Sequence, residues 1–531
     1  MHESNDSTNN KPARGRGGRT WTRVASNYLR LLTTFIIGLV VVRLQLRLGE
    51  DAFAFITLML SNIGIALLLK EVVRAGVIPA LGAAYHDDAH DNFRSVFNSA
   101  LVVSFVVGIA TAVLFLSSMA FIPFLSIPEE LHGAARYFIA VSAVGAFTTI
   151  VLSPVFHLYV VAERMIAYNV WLMLDRAGDL LAVIITICIA WNGSASQPIV
   201  CYVTLATASE VILGVVSAYF ALRATPRAQI ALRTSSRKSI TEFTRSAAWI
   251  VVTTVAMNLY TRVDTLLMNL YFGLPGTLVF GLATQATYYI RQLVMGVVSG
   301  VDAVSARVAK RESHANMLQL IRNSTSLQAI VIFPMMFSLM IFAEDLVALW
   351  VGSRLDDPDK TIPTIATMIR VLTVGVASRS LSEGWMSILN GAGKVDRYAR
   401  FIIVGGVLNA SVALGVLLMF DTDTLFYAPA WICSIVLFAV HLVVIPVVVA
   451  REYKESVWSI VSPLVLPFIA SLVCCVAAAG VSRLVQSGLP QIVLYAGTLI
   501  LIYGISVYAL VMSRQERSKI HNVLTHALRL R

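Results

Sequence analysis

Apolar runs of about 20 residues recur from one end of this 531-residue chain to the other. Each run is long enough to span a bilayer as a helix. Only 13% of the residues are charged and 57% are hydrophobic, whereas roughly a quarter of the residues in a soluble domain are charged. The sequence therefore predicts an all-α, polytopic membrane protein and argues against a soluble enzyme.

The apolar runs divide into about fourteen spans of membrane length. We place them near residues 29–48, 51–72, 98–118, 136–159, 169–190, 199–222, 247–271, 277–303, 325–346, 364–388, 399–420, 425–449, 460–482 and 490–512. The longest polar linker separates the first six spans from the last eight. The predicted organisation is a basic disordered arm (1–28), an N-lobe (29–222), a linker (223–246), a C-lobe (247–449), two further helices (460–512) and a tail (513–531).

The distribution of positive charge predicts how the chain is oriented. If the amino terminus is cytoplasmic, the cytoplasmic segments hold about 28 of the 41 Lys and Arg residues, and the external loops hold about four, as expected from the positive-inside pattern. We therefore predict a multi-pass protein of the cytoplasmic (inner) membrane with both termini cytoplasmic. The net charge of +11 follows from this orientation, and nucleic acid is not a predicted partner because no basic face is interleaved with exposed aromatic residues.

Several charged residues fall inside the predicted spans, where each costs roughly 2.5–3.5 kcal/mol to insert. They must face one another or a water-filled cavity, and a polar cavity between two bundles accommodates them most simply. The set comprises Arg30, Arg43, Asp175, Arg176, Asp179, Glu210, Arg262, Asp264, Arg291, Arg370, Arg379 and Glu383.

Helical spacing separates these charges into paired and unpaired groups. Arg379 and Glu383 are four residues apart and can form an ion pair within their helix, so structural pairing is the favoured role for Glu383. Arg262 and Asp264 are two apart and point in different directions, so each needs a partner from another helix or from a ligand. Arg291 has no carboxylate within one turn, which favours a cavity-facing role over a bond to helix-end carbonyls. The predicted substrate-binding residues are Arg30, Arg262, Asp264, Arg291 and Arg379.

Nearly all the cations inside the spans are arginines. A guanidinium group stays charged and binds phosphate oxygens in a planar fork, which favours an anionic, phosphate-bearing ligand. Arg outnumbers Lys about fourfold across the whole chain, so composition accounts for part of this preference. Among the acidic residues, Glu210 stands alone in the middle of its span and is predicted to couple transport to an ion or proton, together with Asp175 and Asp179.

Motifs for ATP hydrolysis, metal binding or hydrolytic catalysis are absent from the sequence. The stretch from Gly391 to Lys394 continues with Val395 and lacks the upstream glycine of a P-loop. The five cysteines lie in or beside apolar runs and read as small buried hydrophobic residues. Residues 85–91 contain metal-ligand types but read as a solvated cytoplasmic loop. No cofactor and no metal are therefore predicted.

A weak repeat relates the two halves of the chain. Gly49 and Gly76 bracket the second span, and Gly273 and Gly300 bracket the eighth, at an offset of 224 residues. Internal duplication is a known architecture of secondary transporters, so the repeat favours a transporter built from two related lobes.

Four stretches resemble the polysaccharide transporter family of the multidrug/oligosaccharidyl-lipid/polysaccharide exporter superfamily, which includes the O-antigen and exopolysaccharide repeat-unit flippases. They are Arg43–Phe53, Arg262–Gly273, Leu346–Gly352 with Thr361–Leu372, and Leu389–Arg400. Their order and spacing match the family over nearly the whole chain. The basic amino-terminal arm lies outside the family pattern.

The resemblance implies a V-shaped pair of six-helix lobes, two additional carboxyl-terminal helices and transport by alternating access. The implied substrate is a polyprenyl-diphosphate-linked oligosaccharide, moved to the outer leaflet for cell-surface polysaccharide synthesis. Related flippases use arginines of the first and eighth helices near the diphosphate, and Arg30 and Arg291 occupy comparable places here. Expected partners are membrane lipids and polysaccharide-assembly proteins, and the chain is expected to be a monomer.

Two other functions remain open from the sequence. One is a cation- or drug-coupled antiporter of the same superfamily, against which the arginine-rich cavity argues. The other is a membrane glycosyltransferase, polymerase or ligase. Such enzymes need a large external loop with catalytic residues, whereas the longest external loop here, around Gly352–Pro363, is only about a dozen residues.

Overall fold

The computed structural model of the chain describes residues 16–66, 80–82, 84–85, 90–189, 196–298, 301–311, 314–420, 425–485 and 488–511. Over these ranges it is helical, with short connections and no strand. Gly76, Gly300, most of the predicted loop at 85–91 and the tail from residue 513 lie outside the described residues.

The first half of the chain forms six long helices. They are α1 (Arg16–Gln45), α2 (Glu50–Ala66), α3 (His90–Ser117), α4 (His132–Phe156), α5 (Met165–Cys188) and α6 (Ser196–Ala224). Short 3-10 turns connect them at Leu46–Leu48, Ser118–Phe124 and Glu129–Leu131, and a helical turn follows α4 at Leu158–Val161.

The second half begins with a 3-10 turn at Leu232–Thr234 and a long kinked helix, α7 (Arg237–Val298). The chain continues through α8 (Val301–Arg311), α9 (His314–Ile341), α10 (Ala343–Trp350), a turn at Gly352–Arg354, α11 (Pro358–Gly391) and α12 (Val395–Met419). Helix α13 (Ala428–Glu452) contains a π-helical segment at Ala439–Val444. The last helices are α14 (Val457–Ser482) and α15 (Leu489–Ser506), followed by a π-helical turn at Val507–Val511.

Gly273 divides α7 into two membrane spans. Its backbone has φ +66° and ψ −157°, a conformation that glycine reaches without the steric cost of a Cβ atom, and Pro275 begins the second arm. We call the arm before Gly273 α7a and the arm after it α7b. Gly49 makes the corresponding turn between α1 and α2 with φ +111°. The two positive-φ glycines therefore occupy equivalent places in the two halves.

The structure confirms an all-α fold with about fourteen membrane-length helices. Eleven stretches of the described residues are long and apolar enough to cross a membrane. One of these stretches contains both arms of α7, which makes twelve. Helix α5, with three charged residues, and α2, described over 17 residues, bring the number to fourteen. Each of the fourteen predicted spans coincides with one of these helices.

Several helices begin earlier than the predicted spans, and three further differences change the predicted organisation. Helix α1 begins at Arg16, so part of the arm predicted to be disordered is helical, because adding residues to an existing helix costs less than nucleating one. Helix α11 begins at Pro358, with Asp357 capping it, and this takes up half of the predicted external loop. The ninth span is interrupted at Phe342, between α9 and α10.

The helices assemble into two lobes and one peripheral pair. In the N-lobe α4 packs between α3 and α6, and α5 packs between α1 and α6. In the C-lobe α7, α8, α9 and α13 surround α11, and α12 packs on α7 and α13. Helices α1 and α2 pack against α7 and connect the lobes, while α14 packs on α9 and α15 packs on α14. The linker is attached to α3, because the Asn98 side chain bonds the Gln229 carbonyl at 2.9 Å and the Ala231 N–H at 2.7 Å.

Candidate functional site

Arg291 of α7b forms the shortest ion pair among the interior arginines whose partners the structure describes. Its Nη2 donates to Oε1 of Glu383 on α11 at 2.7 Å. Arg379, one turn before Glu383, places its Nε 3.8 Å from the same oxygen. We call Arg291, Arg379 and Glu383 the Glu383 cluster. The pair within α11 was predicted from sequence, and the closer bond from α7b was not.

The Glu383 cluster holds two guanidinium groups against one carboxylate. The side chains of Arg379 and Glu383 are each 13% exposed, and that of Arg291 is 23% exposed. Nε of both arginines is buried without a hydrogen-bond partner among the described residues. The cluster therefore keeps donors and positive charge that a single carboxylate does not satisfy.

A histidine beside the Glu383 cluster was missed by sequence reasoning. His441 lies in the π-helical segment of α13, fully buried, and its Nδ1 shares a hydrogen bond with Ser382 Oγ. The positive charges of Arg379 and Arg291 both act on its ring. A lone histidine inside an apolar span could have drawn attention to it, as π-helical turns often occur at functional sites.

Arg262 and Asp264 lie in different environments, as their spacing predicted. Asp264 is fully buried inside the C-lobe, where Asn409 Nδ2 of α12 lies 3.1 and 3.3 Å from its two carboxylate oxygens. Cys433 of α13 donates to the nearby Tyr260 carbonyl at 3.1 Å. In this conformation Asp264 has no surface for a ligand to touch, so its predicted role in substrate binding would require the lobe to rearrange.

Arg262 lies on the more exposed side of α7a. It has no hydrogen bond or ion pair with the part of the chain that the structure describes. Tyr288 of α7b lies within the electrostatic range of both Arg262 and Arg176 of α5. Tyr288 is therefore near an arginine of the C-lobe and an arginine of the N-lobe, as expected for a residue between the two lobes.

The three predicted ion-coupling residues gather in the N-lobe. Asp179 pairs with Arg176 at 3.2 Å and also lies within the electrostatic range of Asp175 and Glu210. Glu210 Oε1 accepts a hydrogen bond of 2.6 Å from Thr149 Oγ1 on α4. We call Asp175, Asp179 and Glu210 the acidic cluster. The sequence had predicted that Glu210 acts together with the two aspartates, and the structure brings Glu210, on the next helix, near them.

Arg30 lies on α1, on the N-lobe side of the interface with α7b. Its Nη2 donates to Asn27 Oδ1 at 2.9 Å, and its Nε is buried without a described partner. The next residue, Leu31, packs closely on Gly296 of α7b. Arg30 therefore lies near Gly296, more than one helical turn from Arg291 along α7b, and the structure shows no bond between their side chains.

Hydrogen bonds between the lobes gather at the end of the molecule that contains the turns at Gly49 and Gly273. They connect Trp350 Nε1 to the Leu39 carbonyl (3.0 Å), the Asp356 N–H to Glu50 Oε1 (2.7 Å), Ser126 Oγ to the Leu270 carbonyl (3.0 Å) and Arg43 Nη2 to Ser353 Oγ (3.4 Å). We call this the closed end. Within the described ranges, no group of three His, Cys, Asp or Glu side chains is arranged to hold a metal ion.

Comparison with known families identifies the chain. The profile of a family described as "Polysaccharide biosynthesis protein" matches residues 29–357, which is more than half of the sequence. The chain belongs to this polysaccharide biosynthesis protein family. No curated protein sequence gives a significant match.

Several transporters of known structure are similar to this member of the polysaccharide biosynthesis protein family. The lipid II flippase MurJ, in an inward closed conformation, has a TM-score of 0.67 and 9% identity, covering 90% of this chain and 97% of its own. An inward-facing multidrug resistance MATE transporter has a TM-score of 0.65 and 16% identity, covering 80% and 95%. A superfamily transporter from Pyrococcus furiosus has a TM-score of 0.61 and 15% identity, covering 81% and 96%. These similarities establish the fold, which this chain shares with the three proteins.

Proposed function

We propose that the protein is a flippase that moves a polyprenyl-diphosphate-linked oligosaccharide from the cytoplasmic to the outer leaflet by alternating access. The observation that carries the proposal is the excess of guanidinium groups in the interior. Arg291 and Arg379 share one carboxylate, and Arg262 and Arg30 add two more cations on helices of the interface between the lobes. A diphosphate supplies the charge and the acceptor oxygens that these groups lack.

The test is transport by the purified protein in proteoliposomes. A fluorescent polyprenyl-diphosphate oligosaccharide should cross the bilayer faster than in protein-free vesicles, and the gene should complement a strain that lacks its own flippase. If the lipid does not cross and a cationic dye is instead exchanged for protons or sodium, the protein is a drug antiporter and the proposal fails.

We further propose that the structure is the inward-facing state. If the amino terminus is cytoplasmic, the closed end is external, because the turns at Gly49 and Gly273 follow odd-numbered spans. Closing the external end leaves the interior arginines accessible from the cytoplasmic leaflet, where lipid-linked sugars are assembled.

The proposed orientation makes a prediction about surface labelling. In a variant without native cysteines, a single cysteine at Ser235, in the linker, should be protected from an impermeant thiol reagent in intact cells. A cysteine at Asp357, before α11, should react with it. The reagent should reach Ser235Cys only after permeabilisation, and reaction of both positions in intact cells would contradict the orientation.

The acidic cluster makes a prediction about energy coupling. Glu210→Gln keeps the hydrogen bond to Thr149 possible but removes a charge that can take up a proton or cation. We expect transport to fall while the protein level and substrate binding are retained. The measurement is the transport rate under imposed pH and sodium gradients. Gradient dependence identical to that of the parent would remove Glu210 from the coupling mechanism.

A further inference from the structure

The geometry of the Glu383 cluster points to a role for Glu383 beyond pairing. We propose that Glu383 is an internal counter-ion that competes with lipid phosphate for Arg291, so that lipids with a single phosphate charge do not occupy the site. This inference rests on the proposed function, because it concerns the same diphosphate-binding residues. In this role, Glu383 determines how much negative charge a ligand needs in order to bind the site.

The first step is the position of the carboxylate relative to its two arginines. Glu383 belongs to the helix of Arg379, while Arg291 reaches it from α7b at 2.7 Å. If a ligand takes Arg291, Glu383 stays beside Arg379 on its own helix, four residues away, and does not become an isolated buried charge. Releasing Arg291 is therefore far less costly than breaking a lone buried ion pair, which strands an unpaired charge.

The second step compares a phospholipid with a diphosphate lipid as ligands of Arg291. A phospholipid such as phosphatidylglycerol has one phosphodiester charge. When it binds Arg291, the bond to the Glu383 carboxylate is replaced by a similar bond to phosphate, so the gain in binding free energy is small. A diphosphate diester carries two charges. One phosphate can replace Glu383 at Arg291, and the other supplies a second negative charge to the remaining positive charge of the Glu383 cluster. Only the diphosphate gains enough binding free energy to displace the Glu383 carboxylate from Arg291.

Removing the counter-ion should therefore strengthen phosphate binding in general. A hydrogen bond between charged groups is strong enough that Glu383→Gln should tighten binding of undecaprenyl diphosphate about 10-fold in nanodiscs of phosphatidylcholine. The same change should admit phosphatidylglycerol. Its addition to the nanodiscs should weaken undecaprenyl diphosphate binding to Glu383→Gln by about 10-fold, with little effect on the parent protein.

The chain offers a matched control in a second ion pair that involves α11. Glu344 pairs with Arg370 of α11 at 3.0 Å and is half-exposed, away from the Glu383 cluster. Glu344→Gln also removes the carboxylate of an ion pair between helices, and it should bind undecaprenyl diphosphate like the parent in both lipid mixtures. A second test variant, Arg379→Gln with Glu383→Gln, keeps the net charge of the cluster and avoids two unpaired arginines. It should also become sensitive to phosphatidylglycerol.

The outcomes separate the proposals. If the parent protein does not bind undecaprenyl diphosphate in either mixture, the proposed function fails. If the parent binds but both Glu383 variants bind equally well or more weakly in phosphatidylcholine, or ignore phosphatidylglycerol, the carboxylate only holds α7b to α11 and the inference is overturned.

Discussion

Replacing Arg291 with alanine is expected to weaken binding of a polyprenyl-diphosphate sugar by about one to two orders of magnitude. A charged hydrogen bond shielded from bulk water contributes roughly 1.5–3 kcal/mol, which corresponds to that change in the dissociation constant. Arg291 is the most exposed member of the Glu383 cluster, at 23%, and is therefore the member that a ligand in the cavity reaches first. The measurement is binding of the labelled lipid to purified protein, with complementation at matched expression.

The conservative variant distinguishes a specific contact from simple attraction. Arg291→Lys keeps the charge but loses the planar fork that matches phosphate oxygens, so it should also be impaired. The alanine variant should remain folded, since Glu383 retains Arg379 on its own helix and removing a membrane charge removes its insertion cost. Parent-like binding and complementation by Arg291→Ala, with an unchanged melting temperature, would place the diphosphate elsewhere.

Locking the closed end is expected to abolish transport. Ser126 and Leu270 belong to different lobes and are joined by a hydrogen bond of 3.0 Å. In a variant without native cysteines, cysteines at these two positions should be joined by a short, reducible thiol cross-linker. Alternating access requires this end to open, so the cross-linked protein should bind substrate without releasing it to the outer leaflet, and reduction should restore transport.

A cross-link within one lobe provides the control. The hydroxyls of Tyr137 and Thr204, on α4 and α6 of the N-lobe, are 3.0 Å apart. Cysteines at these positions should be cross-linked with equal efficiency while transport continues, because the lobe moves as a unit. Full transport by the protein locked between Ser126 and Leu270 would mean that the closed end is not a gate.

The sequence predicted the membrane spans well because the signal for each is local. An apolar run of sufficient length must form a helix in lipid, where every backbone group has to be satisfied internally. The turn at Gly273 was visible for the same reason, since a glycine between two apolar runs marks a break. The early start of α1 and the interruption at Phe342 were missed, as both depend on surroundings that composition does not describe.

Helical spacing in the sequence predicted only those relations in the candidate site that join residues of the same helix. Spacing correctly grouped Arg379 with Glu383 and separated Arg262 from Asp264. It could not show that Arg291, 92 residues earlier, would donate to Glu383, because the rotation of one helix relative to its neighbour is set by packing. The complete burial of Asp264 against Asn409 also depends on helix packing, so the sequence could not predict it.

The attachment of α14 and α15 has a consequence for biosynthesis. The pair follows α13 in the chain and docks mainly on α9, with Tyr495 bonding Ser338 at 2.7 Å and Tyr503 bonding the Ile330 carbonyl at 3.0 Å. Domains fold as they emerge, and the surface that α9 offers to the pair is largely apolar and can meet lipid meanwhile. The twelve membrane-spanning helices that carry the interior arginines can therefore assemble before the chain is finished, and a nascent protein halted after α13 would already contain every arginine of the candidate site.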